Sequence, residues 1–191
     1  MGFQERYKVK FITIGYIEWR KGQDILVEAI EQLPSDIAEL SEFILVGQKT
    51  SAMAKKLSER IASLPNVSMP GTVSREEVHE LLNEADLMIC PSREDPMPTV
   101  CAEAMMHGIP CLVSKAAGTA AYISDGVDGL VFEKENVSEL KEKIIWCVRN
   151  QDKLKGMGEK AHKIYEGIFS TEAFEHNLLM YVEEMIGKAG N

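Results

Sequence analysis

The run Leu87-Met-Ile-Cys90, Pro91-Ser-Arg-Glu-Asp95-Pro-Met-Pro98, Thr99-Val-Cys-Ala-Glu103-Ala-Met-Met-His107-Gly108, Ile109-Pro110, Cys111-Leu-Val113 reads as a strand, a polar loop, a short helix and a second strand. Both flanking runs are apolar on successive residues, the pattern of strands covered on two faces. Pro98 fits the first helical position, where its missing N–H costs nothing. Thr99 and Val100 then offer first-turn amides, and a helix start attracts anions through free N–H groups and the dipole. Two carboxylates frame this junction, Asp95 before it and Glu103 within the helix. Helical side chains lean toward the N-terminus, so Glu103 points back at the same space. It interrupts an otherwise apolar helix, so it either pairs with a structural partner such as a lysine or faces a polar ligand. Gly108 suits a C-cap, and His107 before it reads as a cap that complements the helix dipole.

The same alternation extends both ways. Short apolar runs at Val9–Ile14, Phe43–Val46, Val67–Met69 and Leu130–Phe132 add four strands. Between them Ile25, Leu26, Ala29, Ile30 and Leu33 recur at helical spacing, as do Val78, Leu81, Leu82 and Ala85. Ser74 with Glu77 forms a capping box, and Asn136 with Glu139 a weaker one. Strands alternating with helices predict an α/β fold: a doubly wound, Rossmann-like parallel sheet of about six strands, helices on both faces and helices at the C-terminal end. Residues 1–191 read as a single Rossmann-like domain, with 151–191 as terminal helices. Phe174, Leu178, Tyr181, Val182 and Met185 make one stripe there, after a start near Ser170.

A formal charge of −9, with acids and bases mixed along the chain, leaves no basic stripe for nucleic acid. Any phosphate site must be local. Cys90, Cys101, Cys111 and Cys147 lack metal-ligand spacing and read as buried thiols in a reducing, cytoplasmic compartment, so no metal is expected. No apolar run is long enough to span a bilayer, although a partner or an absent domain could touch one.

In open α/β sheets ligands sit at the carboxyl ends of the strands. The first such loop is Gly15-Tyr-Ile-Glu-Trp-Arg-Lys21-Gly22, where Gly15 lets backbone approach a ligand and Lys21 can meet a phosphate. A lone lysine at a helix start is also simply solvated, and Arg20 and Glu18 more so. Trp19 covers the helix end. Gly47 marks a tight turn, and Gly71-Thr72-Val73 is a place where backbone could reach a flat ring. Asp95 on its own fits a turn residue, with Arg93 and Glu94 exposed beside it. The first loop lacks G-x-G-x-x-G, which disfavours a dinucleotide cofactor.

Together these loops resemble the C-terminal, donor-binding half of the family 4 retaining glycosyltransferases of GT-B architecture. The motifs fall in family order: G-x5-K-G at Gly15 to Gly22, V-G at Gly47, G-x-V at Gly71, P-S-R-x-D-P at Pro91, E-A-M-x-x-G-x-P at Glu103 and D-G-x-x-G-L-V at Asp125. The resemblance implies a nucleotide-diphosphate sugar as donor substrate, no tightly bound cofactor, and transfer with retention. It makes Lys21 the diphosphate lysine and Glu103 the ribose-binding second acid of the E-x7-E motif. Asp95 takes the first acid's place, near the sugar hydroxyls; Lys21 and Asp95 are thus the catalytic candidates. Gly15, Tyr16 and Gly47 line the donor site, Thr99 and Val100 offer amides to the diphosphate, and Gly71, Thr72 and Val73 meet the base.

Three departures from the family pattern stand out. Tyr16 replaces an arginine, Asp95-Pro-Met-Pro98 replaces E-G-F-G, and Ala117-Gly-Thr-Ala-Ala121 replaces G-G-x-P-E. A GT-B enzyme has two Rossmann-like domains, so the resemblance implies a missing N-terminal acceptor-binding domain and an isolated chain that turns over little. The alternatives are a non-catalytic nucleotide-sugar-binding module and a GT-B sugar-nucleotide epimerase, since fold does not fix function.

Overall fold

The computed structural model describes residues 7–189. Six parallel strands, β1 (Val9–Ile14), β2 (Ser41–Val46), β3 (Val67–Gly71), β4 (Leu87–Cys90), β5 (Cys111–Ser114) and β6 (Leu130–Phe132), form one sheet in the order β3-β2-β1-β4-β5-β6. Three strands match the sequence reading to the residue. The others are one or two residues longer, because ladder bonds extend beyond the apolar run.

Alternate residues of each central strand enter opposite cores. From β4, Leu87 and Ile89 join one cluster while Met88 and Cys90 join the other; from β5, Leu112 faces opposite to Cys111 and Val113. One face is covered by α1 (Gln23–Glu31), α2 (Ser35–Glu39), α3 (Ala52–Ile61) and α6 (Val137–Arg149). The other is covered by α4 (Arg75–Glu84) and α5 (Thr99–Met106). Phe11 stacks on Phe43 at 4.8 Å between centroids within the first core. Helix α7 (Gln151–Ile164) closes the sheet by giving Leu154 and Met157 to one core and Ala161 to the other.

The caps read from sequence are present. Ser74 Oγ accepts from the Glu77 N–H at 3.1 Å while Glu77 accepts from the Ser74 N–H at 2.7 Å. The Asn136 cap is only half of such a box: its Oδ1 accepts from the Glu139 N–H, but Glu139 turns to Glu133 N–H and the Asn136 side chain. The four cysteines are free and buried. Burial pushes the Cys147 thiol well above its ordinary value, so it holds its proton. Helix α8 (Thr171–Ala189) starts at Ser170, whose Oγ accepts from the Ala173 N–H. Its apolar residues lie in solvent, Phe174, Leu178, Tyr181 and Met185 being 64%, 51%, 68% and 72% exposed. None of the described helices is long and apolar enough to cross a membrane.

Candidate donor site at the sheet switch point

After β1 the chain moves to β2 on one side; after β4 it moves to β5 on the other. The loops after β1 and β4 therefore diverge, leaving the crevice where ligands bind in such sheets. Lys21 stands on the first loop and Asp95 on the second. Their side chains meet across the crevice, Nζ to Oδ2, at 2.6 Å. The pair is mostly shielded, with side-chain exposures of 19% and 8%.

Each arm is built from local geometry. Residues Trp19–Lys21 form a 3-10 turn that ends on Gly22 at φ +71, so Lys21 precedes the helix rather than beginning it. A side chain at Gly22 would meet the Pro91 carbonyl at 2.1 Å, so the first loop lies directly on the second. Asp95 is fixed by its backbone: its N–H donates to the Ala116 carbonyl and its carbonyl accepts from the Gly118 N–H at 2.8 Å. That ties the β4 loop to the loop after β5. A cleft of about 460 Å3 opens between them, lined by Asp95, Pro96, Lys115–Gly118, Ala120 and Ala121.

Pro98 caps α5 without any side-chain bond, and the Thr99 and Val100 N–H groups find no partner among the described residues. Glu103, one turn on, is half-buried, and its carboxylate has no hydrogen bond or ion pair among the described residues. The lysine partner entertained from sequence is thus not there. Gln23, at the start of α1, donates to the Tyr16 carbonyl at 2.8 Å, but its buried Oε1 has no partner among the described residues. It lines the same small cavity as Lys21, Asp95 and Val100. A buried polar atom left open beside open amides and an open carboxylate marks a polar site.

Of the other predicted residues, Gly15, Gly47 and Gly71 stand at the carboxyl ends of β1, β2 and β3, and the Gly47 N–H donates to the Gly71 carbonyl at 3.0 Å. Tyr16 is 65% exposed at the mouth. Thr72 and Val73 follow β3 into α4, at the β3 side of the crevice. The Lys49 side chain lies across Gly71, with Cε 3.3 Å from where a Cβ would stand. Nothing in a lone exposed lysine would have singled it out.

Two sequence expectations need correcting. Arg93 is not exposed: it is 8% exposed and bonded to Asp24 and Glu135. An arginine between Ser92 and Glu94 looks solvated in one dimension because both its partners lie far along the chain. His107 does occupy the C-cap of α5, ahead of Gly108 at φ +70, but its ring is not favoured as a cation. It bonds His79 at 3.0 Å and Asn83 at 2.7 Å, and burial followed by the neighbouring His79 lowers its pKa, which favours the neutral ring. By contrast Arg20 and Glu18 are solvated, as read from sequence, and there they pair with each other at 3.1 Å.

The family model described as glycosyl transferases group 1 matches residues 4–164. The chain belongs to that family.

Its relatives include an uncharacterized glycosyltransferase of Methanocaldococcus jannaschii, 28% identical over 91% of this chain and 48% of that protein. The lipopolysaccharide glucosyltransferase WaaG of Escherichia coli is 29% identical over 75% of this chain and 39% of its own length. Among solved structures, Anabaena HepE in complex with UDP-glucose superposes with a TM-score of 0.79 at 23% identity, covering 93% of this chain and 49% of that one. The last likeness confirms the Rossmann-like fold of this group 1 domain. In each case the chain spans half or less of the protein it matches.

Proposed function

We propose that this chain is the donor-binding half of a retaining glycosyltransferase that uses a nucleotide-diphosphate sugar. The observation that carries the reading is the Lys21–Asp95 pair across the sheet switch point, beside the first-turn amides of α5 and the Glu103 carboxylate, which have no partner among the described residues. The diphosphate lies between Lys21 and the Thr99 and Val100 N–H groups, where fixed donors stabilise the charge that develops on the leaving group. Glu103 accepts from the ribose hydroxyls. Asp95 faces the sugar hydroxyls from the wall of the neighbouring cleft, and the Gly71–Val73 backbone meets the base. Gly15, Tyr16 and Gly47 line the approach. Lys21 is shared between Asp95 and the diphosphate once the donor is bound. The four buried, free thiols support a reading in which the reaction takes place in a reducing, cytoplasmic compartment.

The test is calorimetric titration of the chain with UDP, GDP and ADP and with sugars carried on each. One nucleotide should bind measurably, and Glu103→Ala should weaken it about ten- to hundredfold, the loss of a charge-assisted hydrogen bond of about 1.5–3 kcal/mol. Absence of binding by all three nucleotides would sink the reading. Binding unchanged in Glu103→Ala would move the site elsewhere.

The acceptor then belongs to a second domain, as the halved coverage of the relatives supports. Helix α8 is the surface that fits it. Five large apolar side chains at helical spacing, Phe174, Leu178, Tyr181, Val182 and Met185, are each at least 43% exposed, a stripe more apolar than a solvated helix needs. Leu178→Glu with Tyr181→Glu should leave the melting temperature of this chain unchanged and lower that of the two-domain protein by several degrees. An equal loss in both would assign the stripe to this domain's own stability.

A further inference from the structure

Arg93 carries an arrangement that the donor contacts do not use. Its guanidinium forks onto Asp24 of α1, with both bonds at 2.8 Å. It donates a third bond to Glu135 at 2.6 Å and a fourth to the Trp19 carbonyl at 2.7 Å. Its Cζ lies 4.9 Å from the centre of the Trp19 ring. The Arg93 N–H also donates to the Arg20 carbonyl at 2.8 Å. Thus one buried side chain and its own amide grip both residues that precede Lys21, from a position two residues before Asp95.

Glu135 adds an independent sign. It occupies the third position of a turn closed by the Asn136 N–H on the Glu133 carbonyl, at φ +62. Glu135 is the one described non-glycine residue with a positive φ. That conformation favours glycine or asparagine, and such strain persists where the surroundings hold it for a purpose. Here the strained backbone delivers a carboxylate to Arg93 from the loop after β6, across the carboxyl edge of the sheet.

We propose that Arg93 and Glu135 are positioning residues that set the reach of Lys21 to the donor diphosphate. The inference rests on the donor-site reading above. The clamp joins the loops after β1, β4 and β6, so the Lys21 ammonium is delivered to one place instead of sampling several. Both side chains act through Lys21 and neither needs to touch the donor. A planar fork is required, because an ammonium cannot hold Asp24, Glu135 and a carbonyl in one plane.

A double-mutant cycle on nucleotide affinity tests this, with UDP, GDP and ADP as probes and the intact chain as the protein. Arg93→Lys should weaken binding about fivefold, and adding it to Lys21→Ala should cost nothing more. Added to Glu103→Ala, it should cost its full fivefold. A merely structural arginine would weaken all three backgrounds equally, and that result would overturn the proposal. Glu135→Gly guards against misfolding, because glycine relaxes the positive φ and the lost carboxylate is exposed. It should melt at or above the parental temperature and bind nucleotide several-fold more weakly; parental affinity would remove Glu135 from the clamp. Failure of the parent to bind any nucleotide would show first, and would strike the functional reading instead.

Discussion

Lys21→Ala is expected to cost both folding stability and nucleotide binding. It leaves the Asp95 carboxylate, 8% exposed, without its cation. Stranding one member of a buried pair costs about 3–5 kcal/mol, and the partial exposure of Lys21 puts this case at about 2–3 kcal/mol. The urea midpoint should fall accordingly with the slope unchanged. Removing both charges, as Lys21→Met with Asp95→Leu, should recover most of the loss, because no polar group is then left buried alone. Nucleotide affinity should not recover in that double variant. A single variant with the parental midpoint would show that the pair contributes nothing to folding. A double variant that binds nucleotide would remove Lys21 from the diphosphate.

Gly47→Ala is expected to cost as much through packing alone. A Cβ there would stand 1.9 Å from the Gly15 carbonyl oxygen and 2.9 Å from its carbon. Both partners are backbone, and β1 is tied to β2 just there by the Gly15 N–H on the Val46 carbonyl at 3.0 Å. No rotamer can relieve the contact, so the strand ends must part. Overpacking costs about 1–3 kcal/mol, and a backbone clash belongs at the top of that range. The loop displaced is the one that carries Lys21, so nucleotide affinity should fall with stability. Gly156→Ala is the control: a Cβ at that site in α7 meets nothing within 4 Å, and alanine should stabilise the helix by about 1 kcal/mol. Equal melting of the two variants would mean that the β1 and β2 ends are free to separate.

Much of the scaffold was legible because its signals are local. Strands β4 and β6 carry unbroken apolar runs, β1 a mostly apolar one broken only by Lys10 and Thr13, and the Ser74 capping box needs only four residues in a row. The order of motifs located the candidate loops, and a strand-end rule then brought Gly15, Gly47, Gly71 and Asp95 to one edge. Arg93 was misread for the opposite reason: Asp24 is 69 residues earlier and Glu135 42 residues later. His107 failed likewise, since His79 and Asn83 reach it from α4. Helix α8 shows a further limit. Periodicity identified its stripe, but a stripe does not say what covers it, and no described part of this chain does.

The sequence alone determined the alternation of strand and helix, the parallel sheet and the loops where a ligand can sit. These follow from side-chain periodicity, capping and backbone preference, all of which act over a few residues. Tertiary structure decided the rest: that Lys21 meets Asp95 at 2.6 Å, that Glu103 is unpaired among the described residues, and that Arg93 is a buried clamp. Charge pairing depends on distance in space, and only the folded sheet, by placing β1 beside β4, brings those groups within reach.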